Sequence, residues 1–272
     1  MPLLICATPI GNLEDVTLRV LEALRRADAV LCEDTRRTKV LLDRYEIRGR
    51  SLIAVHRHNE RRQALELVPR LAAGETLALV SDAGLPAVND PGGRLLSAAL
   101  EAGVEVTVLP GPSAVETALV ASALGASQYR FLGYLPRRAT ELDALWGESL
   151  DWTYAAVAFE SPRRLPTSLA ALARIDPERR VAVCRELTKR FEEVVRGSAA
   201  ELAERFRTAP KGEITVVLGQ PAERHRPLDE AVGIVRELVA AGAARAAAAE
   251  AVARLAELPR NELYRRSLAP PD

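Results

Sequence analysis

The sequence predicts an α/β protein built from two α/β domains and a small C-terminal helical module. Short apolar runs alternate with helical patterns through the first part of the chain, and this alternation pauses near residues 125–130 before it resumes. After Pro227 the composition becomes rich in alanine. Alternating strands and helices are typical of a parallel sheet covered by helices. A chain of 272 residues is also long enough to form two cores.

The overall composition indicates a soluble protein. The chain is 48% hydrophobic and carries 37 basic and 37 acidic residues. Charged residues interrupt every window well short of the roughly 20 apolar residues that a membrane span needs. The N-terminal residues enter a strand pattern without a basic leader, which is unlike a signal peptide. We therefore expect a cytoplasmic protein with no membrane segment.

The cysteines and histidines give no indication of a metal site. Cys6, Cys32 and Cys184 are far apart, and each lies in or beside an apolar strand-like run. We expect them to be reduced core residues, because no second cysteine or histidine lies near any of them at ligand spacing.

The first domain is predicted to contain a parallel sheet. Apolar runs place its strands at Leu3–Ala7, Ala29–Cys32, Leu52–Val55, Leu77–Val80 and Val104–Leu109. Helical patterns begin at about Thr17, cover Gln63–Leu71 and Arg94–Ala102, and extend from an N-cap at Ser113 to about Leu124.

The stretch that follows the fourth strand is the first candidate for chemistry. Asp82 is the first residue after this apolar run whose charged side chain would be costly to bury, and Gly84 then supplies backbone freedom. Ligands of open α/β sheets lie beyond the carboxyl ends of the strands. The alternative is a tight turn with a solvated aspartate.

Charge is concentrated after the second strand. Two carboxylates and two guanidinium groups lie within Glu33–Arg37, where Asp34 or Thr35 is alternatively a helix N-cap. Between Arg36 and Arg62 nine basic residues face three acidic ones, which favours either an anion-binding surface or an ordinary solvated helix face.

A second α/β unit follows from Phe131. Its strands are predicted at Phe131–Pro136, Tyr154–Phe159, Val181–Cys184, Phe191–Val195 and Ile214–Leu218, and the hairpin-like spacing of the third and fourth predicts a mixed sheet. Ser161 and Pro162 have the sequence of a cap and first turn for a helix through Leu172.

The C-terminal part has the pattern of three short helices after a linker. The linker is predicted over Gln220–Pro227, and the helices begin at about Leu228, Ala246 and Asn261. This arrangement favours a helix-turn-helix-like module. A helical cap or a dimerisation element is the alternative, since acids and bases nearly balance here.

Taken together, the segments at the predicted strand ends resemble the tetrapyrrole-methylase superfamily, and within it the bacterial enzymes that methylate small-subunit ribosomal RNA. The resemblance is carried in order by TPIGN, CEDTR, SDAGLP, PGPSA, FESPRR, RELTKRFEE and KGE. It implies an N-terminal methylase domain over residues 1–116, a second over 117–222, a cleft for S-adenosylmethionine between them, and a helical module over 223–272.

The resemblance also implies an activity and partners. The expected reaction is 2′-O-methylation of a cytidine in the decoding region of 16S rRNA, by a homodimer that acts on the RNA or on a ribosomal particle. Two rivals remain open: a methylase of the same fold that acts on a tetrapyrrole precursor or a protein side chain, and a catalytically silent RNA-binding assembly factor.

Residue by residue, the resemblance implies cofactor contacts from the loops of both domains. These fall on Ile10, Gly11, Asp82, Gly84, Leu85, Ser113, Ala114, Phe159 and Gly212. The sequence departs from the family pattern at Leu85, Phe159 and Arg163, where the family usually has Thr, Tyr and His. Hydroxyl groups at the first two positions and a histidine base at the third are therefore not available here.

Methyl transfer to a ribose hydroxyl is helped by a base close to that hydroxyl. Asp34 and Glu160 are the candidate catalytic carboxylates, since each lies at the end of a predicted strand. The candidate contacts to RNA phosphate or ribose are Arg36, Arg57, Arg163 and Lys189.

Overall fold

The computed structural model describes residues 2–125, 127–221 and 228–268. The chain divides into two compact units, residues 1–220 and 221–272. The first unit contains two five-stranded sheets, and the second contains the C-terminal helices.

The first sheet is parallel, as the alternation of strands and helices predicts. Its strand order is β3-β2-β4-β1-β5. Its strands are β1 (Leu3–Cys6), β2 (Ala29–Cys32), β3 (Ser51–Ala54), β4 (Leu77–Val80) and β5 (Val106–Leu109). The helices of this half are α1 (Leu18–Arg26), α2 (Thr35–Arg44), α3 (Glu60–Ala72) and α4 (Gly93–Glu101).

Both faces of the three central strands β1, β2 and β4 are buried, which explains why these strands are continuously apolar. Val20 and Leu24 of α1 pack on one face together with Leu41 of α2. Leu67 of α3 and Leu95 of α4 pack on the other. The carboxyl ends of all five strands therefore meet at a single edge.

The second sheet is mixed, as the predicted hairpin indicates. Its order is β6-β7-β10-β8-β9, in which β6 and β7 are parallel and the other neighbours are antiparallel. Its strands are β6 (Tyr129–Tyr134), β7 (Ala155–Glu160), β8 (Arg180–Arg185), β9 (Glu193–Ser198) and β10 (Ile214–Leu218). Its helices are α5 (Ala114–Ser122), α6 (Ala139–Glu148), α7 (Leu165–Ile175) and α8 (Ala199–Arg205).

Helix α5 joins the two halves of the first unit. Val115 and Leu119 of α5 are buried against Val157 and Val217 of the second sheet. The division expected after residue 116 therefore falls inside a helix whose apolar face packs on the second sheet. That division stays a proposal.

Neither of the two serines predicted as N-caps makes a capping hydrogen bond. Helix α7 begins at Leu165, because Ser161 to Arg164 first form a turn in which the carbonyl of Ser161 accepts from the amides of Arg164 and Leu165. Ser161 is therefore not an N-cap. Ser113 does occupy the N-cap position of α5, but its hydroxyl donates to Glu116 and makes no capping hydrogen bond.

The three cysteines are buried and free, as expected. Burial raises the pKa of Cys6 to about 12 and that of Cys184 to about 11. These thiols are therefore protonated and inert at neutral pH.

The second unit is a small module of three helices, α9 (Leu228–Ala240), α10 (Arg245–Ala256) and α11 (Arg260–Leu268). Val235, Ala249 and Leu263, one from each helix, are fully buried in its common core. Most of the predicted linker, residues 222–227, lies outside the described residues. Within the described residues, no helix is long and apolar enough to cross a membrane.

Candidate active site

A cavity of about 790 Å³ lies where the carboxyl edge of the first sheet meets the second sheet. The loops after β1, β4 and β5 form one side of it. The end of β7 and the start of β10 form the other, since these antiparallel strands bring those two ends to the same edge. A volume of this size falls within the range of about 300–1,000 Å³ that is usual for small-molecule sites.

Eight of the nine residues predicted to contact the cofactor line this cavity. They are Ile10, Asp82, Gly84, Leu85, Ser113, Ala114, Phe159 and Gly212. Gly11 instead lines an adjoining cavity of about 290 Å³, which shares Ile10 and Asp82 with the larger one.

The loop after β1 and the loop after β4 are fastened to each other. The amide of Thr8 donates to the carbonyl of Gly84 at 2.8 Å, and the amide of Gly84 donates back to Thr8 at 3.0 Å. The Thr8 hydroxyl donates to the carbonyl of Ser81 at 3.0 Å. Gly84 has φ +77°, a conformation that favours glycine, and a Cβ here would lie 3.7 Å from the Pro112 carbonyl oxygen. Backbone conformation rather than lack of space therefore requires this glycine.

Asp82 ties the loop after β4 to the loop after β2. Its Oδ1 accepts from the amide of Asp34 at 3.1 Å, and its Oδ2 lies 3.6 Å from Nε of Arg37. The carboxylate lines both cavities. Asp82 is thus positioned both to shape the loop and to accept hydrogen bonds from a ligand.

Asp34 is the N-cap of helix α2, which is the alternative that the sequence offered. Its Oδ1 accepts from the Arg36 amide at 2.8 Å, and its Oδ2 accepts from the Arg36 guanidinium at 2.8 Å. These hydrogen bonds from Arg36 lower the pKa of Asp34 to about 2. Asp34 is not among the residues that line either cavity. So acidic a group is a weak proton acceptor at neutral pH.

Glu160 lines the larger cavity, but its carboxylate is fully engaged by the protein. The side chain has 0% exposed area, and Oε2 lies 3.4 Å from Nη2 of Arg164. The Ser161 amide donates to Oε1 at 2.6 Å, and the Ser168 hydroxyl donates to Oε2. These contacts support a structural role for Glu160, which fixes the start of α7.

The predicted substrate contacts do not cluster. Arg36 is exposed and paired with Asp34, and Arg163 is exposed and lines neither cavity. Arg57 donates to the carbonyl of Asn89 at 2.7 Å, which gives it a structural contact within the site. Lys189 lines the smaller cavity.

Lys189 belongs to a compact charged group of the second half. Its Nζ lies 3.0 Å from Oε1 of Glu186 and 3.0 Å from Oε2 of Glu213. Gly212 allows this arrangement, because a Cβ there would lie 2.4 Å from Cγ of Glu186. Two acidic partners already balance the charge of Lys189, so an incoming phosphate would have to compete with them.

Asp90 and the aromatic residues Phe131 and Tyr134, which line the larger cavity with Phe159, were not predicted from the sequence. The rings of Phe131 and Tyr134 meet Phe159 edge-on, with centroids 5.1 and 5.5 Å apart. Burial, together with the nearby carboxylates of Glu33 and Asp82, raises the pKa of Asp90 to about 6. Asp90 lies ten positions beyond the end of β4, so the end of the apolar run does not mark it.

No group of three or more His, Cys, Asp or Glu side chains suited to a metal ion occurs among the described residues.

Comparison with protein families identifies the class to which this fold and cavity belong. Residues 2–203 match the family model of the Tetrapyrrole (Corrin/Porphyrin) Methylases. The structure of uroporphyrin-III-C-methyltransferase from Thermus thermophilus is similar, with a TM-score of 0.59 and 21% identity, and the match covers 81% of this chain and 94% of that one. A further structure of the Thermus thermophilus enzyme, complexed with S-adenyl homocysteine, matches with a TM-score of 0.57, 18% identity and coverage of 81% and 98%. The chain is a member of the tetrapyrrole methylase family.

Proteins with similar sequences identify a narrower family than the structural comparison does. A protein of Mesorhizobium japonicum is 46% identical over 98% of this chain and 91% of its own length, and one of Halalkalibacterium halodurans is 40% identical over 83% and 78%. Both are named ribosomal RNA small subunit methyltransferase I. Within the tetrapyrrole methylases, the chain belongs to the family of these relatives.

Proposed function

We propose that this protein uses S-adenosylmethionine to methylate the 2′-hydroxyl of a cytidine in the decoding region of 16S rRNA. The observation that carries the proposal is the lining of the larger cavity. Eight positions that the family pattern assigns to the cofactor border one space at the meeting edge of the two sheets. The name of the sequence relatives supports ribosomal RNA as the substrate.

The residues of the cavity fit such a cofactor. Turns that contain Gly84 and Gly111 form two of its edges, and a Cβ at Gly111 would lie 2.9 Å from Cβ of Ala7. Carboxylates of Asp82 and Glu116 line the same space as the apolar ring of Phe159. Carboxylates can accept from hydroxyl and ammonium groups, while an apolar wall accommodates an aromatic base.

The cofactor would supply a methyl group bonded to a positively charged sulfur. An oxygen nucleophile would attack the methyl carbon in line with the carbon–sulfur bond, and the sulfur would leave. The task of the chain is then to hold both reactants in that alignment, which can contribute about 7–11 kcal/mol to catalysis. The paired loops at Thr8 and Gly84 provide a rigid support for such alignment. Lys189 in the adjoining cavity is a candidate contact for the RNA.

The homodimer expected from the family remains part of the proposal, as does action on a ribosomal particle. If the protein were a methylase that acts on a tetrapyrrole or a protein side chain, deletion of its gene would leave the methylation of the ribosomal RNA unchanged. A silent assembly factor would show no saturable binding of S-adenosylmethionine.

The first test of the proposal is the Asp82→Ala substitution, with cofactor affinity measured by calorimetry. Removal of the carboxylate that lines both cavities should abolish detectable binding while the chain stays folded. Asp43→Ala is the matched control, since Asp43 is exposed on α2 and pairs only weakly with Lys39 at 3.7 Å. If Asp82→Ala binds with unchanged affinity, the loop after β4 is not the cofactor site.

The second test concerns the substrate. Mass mapping of small-subunit RNA from a strain that lacks the gene should reveal the loss of one methyl group from one ribose. Loss of a methyl group from a base, or no loss at all, would contradict the proposed reaction.

A further inference from the structure

The turn between β8 and β9 carries an exposed aromatic side chain. Phe191 is 64% exposed, whereas the other three phenylalanines of the chain are buried or half-buried. Tight turns usually contain Gly, Asn, Asp, Pro or Ser, so the turn itself does not require a phenylalanine. A single exposed apolar side chain is common on protein surfaces. Phe191 differs because its turn is held rigidly and a groove with an unpaired cation lies beside it.

Two successive turns fix the backbone that presents Phe191. The amide of Lys189 donates to the carbonyl of Glu186 at 2.9 Å, which closes the first turn. The amide of Glu192 donates to the carbonyl of Lys189 at 3.1 Å, which closes the second. Arg190 and Phe191 are the two central residues of this second turn, so both side chains project from its tip.

Thr188 fastens the same loop to the first half of the chain. Its hydroxyl accepts from the amide of Asn12 at 2.9 Å, and its own amide donates to Oε2 of Glu192 at 2.5 Å. Thr188 has φ +64°, which a β-branched residue adopts only where its surroundings enforce it. The loop is therefore ordered before a partner binds, and little freedom is left to be lost when Phe191 makes a contact.

The turn borders an open groove that continues from the smaller cavity. Arg190, which precedes Phe191, lines this groove of about 590 Å³. Gly11 and Lys189 line both the groove and the smaller cavity. The smaller cavity in turn adjoins the larger one. A continuous path thus leads from the proposed cofactor cavity to the turn that carries Phe191.

Three basic side chains line the groove, and they differ in how their charge is balanced. Lys189 has two acidic partners, and Nη2 of Arg44 lies 3.4 Å from Oε1 of Glu14. Arg190 forms no ion pair within the part of the chain that the structure describes. Its guanidinium carbon instead lies 5.5 Å from the ring centroid of Phe191. With Arg190 over one face of the ring, the exposed remainder of the ring is available for stacking.

We propose that Phe191 is a stacking platform for an unpaired base of the ribosomal RNA, beside the methylated cytidine, and that Arg190 contacts a phosphate of the same segment. This inference rests on the proposed function. Proteins recognise unpaired RNA largely by stacking its bases on aromatic and arginine side chains. An apolar protein surface fits less well, because it would bury the charge of Arg190 without a partner. Phe191 is thus a positioning residue, which holds the RNA strand while the target ribose reaches the cofactor.

The first test measures binding to small ribosomal subunits from a strain that lacks the gene. Phe191→Ala and Phe191→Leu should each raise the Kd by about 5–150-fold, because neither side chain has an aromatic face. Phe191→Trp should stay within about twofold of the wild type. Circular dichroism and cofactor affinity should be unchanged in all three variants, since Phe191 lines neither cavity.

Leu100→Ala is the matched control. Leu100 is 57% exposed, which is close to the value for Phe191, and it lies near the end of α4, at the opposite edge of the first sheet. This variant should bind the subunits as the wild type does.

The salt dependence separates stacking from phosphate contact. Arg190→Gln should reduce the slope of log affinity against log salt by about 0.7, the contribution of one phosphate contact to a single strand. Phe191→Ala should weaken binding at every salt concentration and leave the slope unaltered. Arg25→Gln, at the exposed end of α1, is the control for the charge.

A spectroscopic test uses octacytidylate as the probe. Trp146 and Trp152 are buried, so the tryptophan introduced by Phe191→Trp would be the exposed fluorophore. Octacytidylate should quench the emission of Phe191→Trp and leave that of the wild type unchanged. An oligomer of the same length without bases should quench neither.

Several results would overturn the inference. It is wrong if Phe191→Leu keeps wild-type affinity, which would indicate an apolar contact with a protein of the particle, or if octacytidylate does not quench Phe191→Trp. It is also wrong if Phe191→Ala changes the oligomeric state in sedimentation, which would place Phe191 between subunits. A wild type that transfers no methyl group to ribosomal RNA would contradict the proposed function and this inference with it. An active wild type with an equally tight Phe191→Ala variant would contradict the inference alone.

Discussion

At the scale of single residues, Gly11 shows how closely the two halves of the first unit approach each other. A Cβ at this position would lie 2.5 Å from Cγ of Lys189, 2.7 Å from Oγ1 of Thr188 and 2.9 Å from the carbonyl oxygen of Leu187. The next amide, that of Asn12, donates to the Thr188 hydroxyl at 2.9 Å. The family pattern assigns Gly11 to the cofactor, whereas the structure gives it a packing reason of its own.

We predict that Gly11→Ala destabilises the protein by about 1–3 kcal/mol, because the added methyl group has no space and two of its neighbours resist displacement. The measurement is the free energy of unfolding in urea. Gly147→Ala is the matched control, since a Cβ there meets nothing within 4 Å. That substitution, near the end of α6, should be neutral or stabilise by up to about 1 kcal/mol. Equal effects of the two substitutions would mean that the approach at Gly11 is easily relieved.

Residues that directly follow strands could be found from the sequence, and Asp90 could not. Asp82 and Ser113 lie in the short turns that follow the apolar runs of β4 and β5, so the end of each run points to the turn that contains them. Asp90 reaches the same cavity only because Ala87 and Asn89 adopt left-handed conformations that turn the chain back. Asparagine tolerates that conformation, but an alanine gives no local indication of it, so tertiary contacts must impose it at Ala87.

At the scale of elements, helix α3 carries the part of the basic stretch best placed to meet RNA. It begins just after β3, at the carboxyl edge that borders the cavity, and Arg61 and Arg62 are exposed in its first turn. Arg57 differs from them, because it holds the carbonyl of Asn89. A variant that also changes Arg57 would disturb the site itself.

We predict that Arg61→Gln combined with Arg62→Gln weakens RNA binding and leaves cofactor affinity unchanged. Each phosphate contact contributes about 0.7–0.9 to the slope of log affinity against log salt, so the slope should fall by about 1–2. Arg25→Gln combined with Arg26→Gln is the control. That exposed pair ends α1, and hence lies at the opposite edge of the sheet. An unaltered slope in the α3 variant would mean that Arg61 and Arg62 do not contact RNA phosphates.

Most strands were predictable, while several helices were not. The apolar runs Ala29–Cys32 and Leu77–Val80 coincide with β2 and β4, because buried parallel strands are continuously apolar. Helices α6 and α8 were missed. Each is short and is fixed largely by packing on the second sheet, where Trp146 of α6 and Leu202 of α8 are buried.

At the scale of the whole molecule, the two compact units have separate cores. The residues that line the larger cavity all belong to the first unit. The three helices of the second unit bury alanine, valine and leucine among themselves. Each unit thus has the packing of an independent folding unit.

We predict that a chain ending at Gln220 folds and binds S-adenosylmethionine with wild-type affinity. Capture of ribosomal RNA should weaken, because the helical module would supply only a few phosphate contacts. Circular dichroism, calorimetry and a filter-binding assay measure the three properties on one preparation. Aggregation or unfolding of the shortened chain would instead show that the module completes the core or an interface between subunits.

The position of β1 has a consequence for how the protein folds while it is being synthesised. This strand precedes both of its neighbours in the chain and lies inside the first sheet, where Leu3 pairs with Leu77 on one side and Val106 on the other. While the ribosome synthesises the chain, both edges of β1 stay unpaired until β4 and then β5 have left the exit tunnel. The first sheet therefore closes late and through contacts distant in sequence, which slows folding. During that interval a fully apolar strand is exposed on the nascent chain, where chaperones that bind such segments would protect it from aggregation.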